Sequence, residues 1–133
     1  MILRSIAVGV SLLAVAASPA LAADTWHWGS IRSADHAGRA AGTVVTDGSG
    51  YRIKGRLYDL PHRAGCSWLT FRWRKLDGHT GYRTFHTCVD SKPLAFSFTV
   101  GPMHGIEGKL CRGTAKKATG RCSLYEGVWA EGG

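Results

Sequence analysis

Residues 67–89 read SWLTFRWRKLDGHTGYRTFHTCV, and the alternation inside this stretch decides the fold class. Successive side chains of a strand point to opposite faces. Leu69, Phe71 and Trp73 therefore share one face, and Trp68, Thr70, Arg72 and Arg74 share the other. A cluster of turn formers, Asp77-Gly78-His79-Thr80-Gly81, interrupts the run, and residues 82–89 return with strand character. Pairing Leu76 with Tyr82 sets Trp73 opposite Phe85 and Leu69 opposite Val89, two apolar cross-strand pairs. The same register sets Arg72 opposite His86 and Thr70 opposite Cys88.

The pattern repeats on either side. Residues 43–46 end in the turn signal Asp47-Gly48-Ser49-Gly50, after which Tyr51, Ile53, Gly55 and Leu57 alternate with Arg52, Lys54, Arg56 and Tyr58. That is a half-buried strand, apolar on one side and carrying three cations on the other. Leu94, Phe96, Phe98 and Val100 alternate with Ala95, Ser97 and Thr99 until Gly101-Pro102 stops them. Ile106, Gly108 and Leu110 suggest another strand, residues 113–120 a polar loop, and residues 121–129 a further apolar run. Trp26-His27-Trp28 opens the first strand, while the Ala-rich residues 33–41 read as a helical turn or an irregular crossing. No stretch after residue 22 sustains a helical period. Seven or eight strands at about ten-residue spacing predict an all-β chain: a single antiparallel β-sandwich, immunoglobulin-like or similar.

Residues 1–22 read as a secretory signal peptide, with Arg4, an apolar run from Ile6 to Ala17, and the small-x-small site Ala20-Leu21-Ala22. Residues 23–133 then form one domain, expected outside the cell and without stable membrane insertion once the leader is cut. Of the 17 basic residues only Arg4 falls in the leader, leaving 16 against nine acids, a net of +7. Such a chain is drawn to anionic surfaces.

Cys66, Cys88, Cys111 and Cys122 all lie beyond the leader, in a compartment where disulfides persist. Four cysteines allow three connectivities. Cys111 and Cys122 bracket a short loop and are expected to staple its base. Cys66–Cys88 is the favoured partner pair, but the hairpin register resists it. With Cys88 opposite Thr70, Cys66 lies four residues further along, about 13 Å away, whereas a disulfide needs Cα atoms within about 7 Å. A bent entry at Gly65, a bulge, or another connectivity would resolve the conflict. The wide spacings disfavour a zinc site.

No catalytic signature stands out. There is no G-x-S-x-G, no P-loop or dinucleotide fingerprint and no H-E-x-x-H, so no catalytic residue, metal or cofactor is assigned. Asp47, Asp77 and Asp90 read as turn residues, and no carboxylate pair of the glycosidase kind is visible locally. His86, near Arg72 and Arg74 on the polar side of the hairpin, is the one candidate for holding a phosphate or moving a proton. Trp68 on the same side adds an aromatic among cations, an arrangement that stacks bases or sugars. The candidate binding set is accordingly Arg52, Lys54, Arg56, Trp68, Arg72, Arg74 and His86.

The order Trp28-Gly29, Gly42-x-Val44, Gly55-x-Leu57-Tyr58-Asp59, Cys66-x-Trp68-x-x-Phe71, Leu110-Cys111 and Arg121-Cys122 resembles a group of small exported bacterial β-sandwich proteins without an assigned activity. The resemblance implies an all-β fold with two disulfides and brings no functional residues. The leading expectation is a binding domain for an anionic polymer or a cell-envelope component. The alternatives are a small nuclease-like hydrolase using His86 with Arg72 or Arg74, and an inhibitor or toxin-like protein presenting residues 113–120.

Overall fold

The computed structural model describes residue 9 and residues 24–132. The expected leader therefore lies, residue 9 apart, outside the described residues. Among the described residues nine strands follow one another: β1 (Thr25–Arg32), β2 (Gly38–Asp47), β3 (Gly50–Asp59), β4 (Cys66–Lys75), β5 (Thr80–Thr87), β6 (Leu94–Val100), β7 (Met103–Gly113), β8 (Ala118–Gly120) and β9 (Glu126–Ala130). One sheet has the order β1-β2-β3-β6, and the other the order β5-β4-β7-β8 with β9 also on β7. Every pairing is antiparallel. The two sheets pack into the expected sandwich. The short β8 lies inside the stretch read as a loop, and residues 38–41, read as a crossing, are the start of β2.

The alternating residues supply the core. Val44, Ile53, Leu57, Leu69, Phe71 and Leu110 are wholly buried. Phe71 sits at the centre, with Trp28, Phe96 and Phe98 ring centroids 5.5, 5.6 and 5.2 Å away. Aromatic packing from both sheets on one residue makes truncating Phe71 cost roughly 3–5 kcal/mol. Gly55 makes room for this cluster: a Cβ there would come within 2.8 Å of both the Trp28 and Phe96 rings.

The β4–β5 hairpin takes a register four residues away from the expected one. Leu69 faces Phe85, Trp68 faces His86, Arg72 faces Tyr82 and Trp73 faces Gly81. The cause is a tighter turn. Lys75 N–H donates to the His79 carbonyl at 2.9 Å, Gly78 N–H donates back to the Lys75 carbonyl at 3.0 Å, and Asp77 accepts the His79 N–H at 2.9 Å. The loop is only Leu76-Asp77-Gly78, with Gly78 at a left-handed φ of 89° that suits glycine. The four-residue shift preserves which face each side chain occupies. It changes the partners, and Trp73 lies over the bare α-carbon of Gly81 instead of against Phe85.

This register removes the difficulty with the cysteines. Cys66 continues the ladder directly opposite Cys88, their Cα atoms are 4.3 Å apart, and the pair is bonded. No bent entry is required, because Cys66 already belongs to β4. Cys111 is bonded to Cys122 with Cα atoms 3.9 Å apart, tying β7 to the segment after β8. Two cystines of this kind fit an oxidising compartment.

One end of the sandwich holds a charged cluster between the sheets. Arg112, 5 % exposed, projects inward from β7. Its guanidinium pairs with Asp59, donates to Ser67 Oγ at 2.7 Å and to the Ala64 carbonyl at 2.9 Å, and lies 3.6 Å from Asp35. Ser67 donates to Asp59 at 2.7 Å, and Ser33 donates to Asp35 at 2.6 Å. Burial opposes ionisation of Asp35, but the Ser33 hydroxyl, the Ala37 amide and the Arg112 charge outweigh it and hold the carboxyl below its ordinary value.

Candidate functional site

The seven candidate binding residues occupy two faces that point away from each other. Arg52, Lys54 and Arg56 stand on the outer face of the β1-β2-β3-β6 sheet, since Ile53 and Leu57 fill the core. Trp68, Arg72, Arg74 and His86 stand on the outer face of the other sheet, since Leu69 and Phe71 fill the core. They do not converge on one concave surface.

On the second face Trp68, His86 and Arg72 are committed to internal partners, while Arg74 is exposed and makes no ion pair among the described residues. His86 stacks on Trp68, ring centroids 4.1 Å apart and nearly parallel. The Trp68 indole N–H donates to the Thr114 carbonyl at 2.8 Å. Arg72 pairs with Glu107, its Nε 2.8 Å from the carboxylate, and lies 3.7 Å over the Tyr125 ring. The Glu107 hydrogen bond is the chief reason the guanidinium holds its proton more tightly than usual. His86 therefore faces an indole, with Arg72 two ladder rows away, and the expected cluster of His86 with Arg72 is not assembled. A groove of about 620 Å³ does open beside Arg72, Arg74, Tyr82, His104 and Glu107. Most of its charge is paired internally, His104 lying 2.6 Å from Glu131. The turn at residues 114–117, within the segment expected to present a recognition loop, is closed by Thr114 N–H on the Lys117 carbonyl at 2.9 Å.

The first face differs. Register aligns His27, Thr43, Lys54 and Ser97 in one row across the four strands, and Gly29, Ala41, Arg56 and Ala95 in the next. Lys54 and Arg56 thus rise from a floor of small side chains. Arg39, directly opposite Tyr58, lays its guanidinium carbon 4.3 Å over the Tyr58 ring. Together these residues border a groove of about 740 Å³. Trp28 also contributes to its lining, and the buried indole N–H of Trp28 has no acceptor among the described residues.

The electrostatics of this groove follow from where the acids went. Six of the nine carboxylates pair with basic groups elsewhere: Asp47 with Arg52, Asp77 with His79, Glu107 with Arg72, Glu131 with His104, and Asp35 and Asp59 with Arg112. None of the nine lines the groove. Among the described residues, His27, Arg39, Lys54 and Arg56 make no ion pair. Arg52 is different, bound to Asp47 at 3.1 Å and donating to Ser97 at 3.1 Å.

Two groove residues, His27 and Arg39, are absent from the sequence-derived set. His27 was legible as the outward residue between two inward tryptophans. Arg39 was hidden by the Ala-rich context of β2. Among the described residues, no three His, Cys, Asp or Glu side chains gather as a metal site. No known family, curated protein or solved structure matches this chain.

Proposed function

We propose that this protein is an exported binding module whose groove over β3 takes an anionic polymer of the cell envelope. One observation carries the reading: Lys54, Arg56 and Arg39 form a line of unpaired cations with no carboxylate in the groove. Lys54 and Arg56 are two residues apart on one strand, a step of about 7 Å. Tyr58, capped by Arg39, is the next outward position. A linear run of charge at a regular step suits an extended chain bearing repeated phosphate or carboxylate groups better than a single small ion. The small floor lets such a chain lie close to the sheet, and Arg supplies bidentate contacts that Lys cannot. The leader and the net positive charge support the location and the attraction.

The test is titration of a fluorescent polyphosphate across salt concentrations. Affinity is expected to fall steadily with added salt, as charge pairing is screened. The Lys54→Ala, Arg56→Ala double variant is expected to weaken binding with an unchanged melting temperature. Binding indifferent to both salt and the double variant overturns the proposal.

A further inference from the structure

The four-stranded sheet ends in an edge that is not defended. β6 pairs only with β3, so its other side is a row of N–H and C=O groups without a ladder partner among the described residues. Folded proteins usually blunt such edges with charge, proline, bulges or brevity. The other edges here do so. β1 has a bulge between Gly29 and Ile31 and ends in Arg32; β5 carries Arg83; β8 and β9 have three and five residues. β6 is seven residues long, regular, and without a charge or a proline from Leu94 to Val100.

The sequence of β6 also fits itself. Antiparallel partners point to the same face, so a strand pairing with its own copy must place the two-fold axis on a residue. With the axis at Ser97 all seven residues find partners: Phe96 meets Phe98 of the second copy, Leu94 meets Val100, and Ala95 meets Thr99. Core-facing residues meet core-facing ones, small outward residues meet small outward ones, and no like charges meet. We infer that β6 is a self-pairing edge, and that two copies join through it into one continuous eight-stranded sheet.

The consequence reaches the groove, because Ala95, Phe96 and Ser97 form its rim. Lys54 lies directly beside Ser97 in the ladder. In the pair, Lys54, Ser97, the second Ser97 and the second Lys54 fall in one row, with the two lysines three strand spacings, about 14 Å, apart. Two grooves become one cationic face. Only this doubling rests on the polymer-binding reading; the pairing itself does not.

Sedimentation of the purified protein without polymer tests the pairing. Two positively charged copies repel, so dimer formation is expected to strengthen as salt rises to about 1 M, where the Debye length is about 3 Å. Polymer binding has the opposite salt dependence, which keeps the two ideas separable. Ser97→Lys and Ser97→Glu each set like charges face to face and are expected to give monomers, while an equimolar mixture of the two restores the dimer. A wild-type protein that stays monomeric up to millimolar concentration at high salt overturns the inference. So does a Ser97→Lys protein that dimerises like wild type, or a mixture that fails to reassociate.

Discussion

The two outer faces of this sandwich carry similar residues and use them in different ways. The face of β4, β5 and β7 spends its side chains on internal partners: Trp68 on His86 and Thr114, Arg72 on Glu107 and Tyr125, Cys111 on Cys122. The face of β2, β3 and β6 sets Lys54 and Arg56 over small residues and Arg39 over Tyr58, and gives none of the three a carboxylate. Charge count does not distinguish the faces; the location of the acids does. An arginine with a carboxylate and an aromatic ring around it is part of the structure. One without a carboxylate is available to an anionic partner.

The comparison breaks most visibly if the internal commitments are removed. Arg112→Ala leaves Asp59 buried beside Ser67 with no cation, and is expected to cost about 3–5 kcal/mol in denaturant unfolding. Replacing Cys66 and Cys88 together by Ala is expected to cost about 2–5 kcal/mol, while polyphosphate affinity of the protein that remains folded stays at the wild-type level. An unchanged unfolding midpoint in either variant would contradict the structural role given to these groups. The opposite pattern is expected on the other face. Lys54→Ala and Arg56→Ala should each lower polymer affinity roughly fivefold, about 1 kcal/mol per cation near an anionic surface, and leave the unfolding midpoint in place.

A subtler separation comes from acid titration. The Asp35 carboxyl is held below its ordinary value, so its contribution to stability is present above the unfolded value of about 3.9 and disappears as pH falls through the folded value. Stability is expected to be flat with respect to this group from neutral pH to about 4 and to drop below that. Asp35→Asn should flatten that acid limb, as measured by melting temperature against pH. The smallest effect is expected from Glu107→Gln. This pair is only half-buried, so the melting temperature should barely move, but Arg72 is released and the second face gains a free cation. A slightly steeper salt dependence of polymer binding would record it.

The alternation of Leu69, Phe71 and Trp73, of Ile53 and Leu57, and of Phe96 and Phe98 made the layers and the inward faces readable from the chain. Side-chain parity needs only local information. Register did not follow, because it depends on whether the turn uses three residues or five, and Gly78 and Gly81 each offered a plausible pivot. The cysteines held the missing information: requiring Cys66 opposite Cys88 selects the observed ladder. Arg112 was invisible for a different reason. It sits at an inward position of β7, where the pattern calls for an apolar residue, and its partners Asp35 and Asp59 are distant in sequence. Half of the candidate groove, Lys54 and Arg56, was legible from β3 alone. Arg39 and His27 join them only once strand order sets β1 and β2 beside β3.

The two cystines have one more effect. The turn after Arg74 and Lys75 lies inside the covalent ring closed by Cys66 and Cys88, and the turn holding Lys116 and Lys117 lies inside the ring closed by Cys111 and Cys122. A trypsin-like protease cutting at either tip would open a loop without releasing a fragment. The nicked protein would remain one molecule and keep both sheets in place, so a cut at either of these basic turns does little harm.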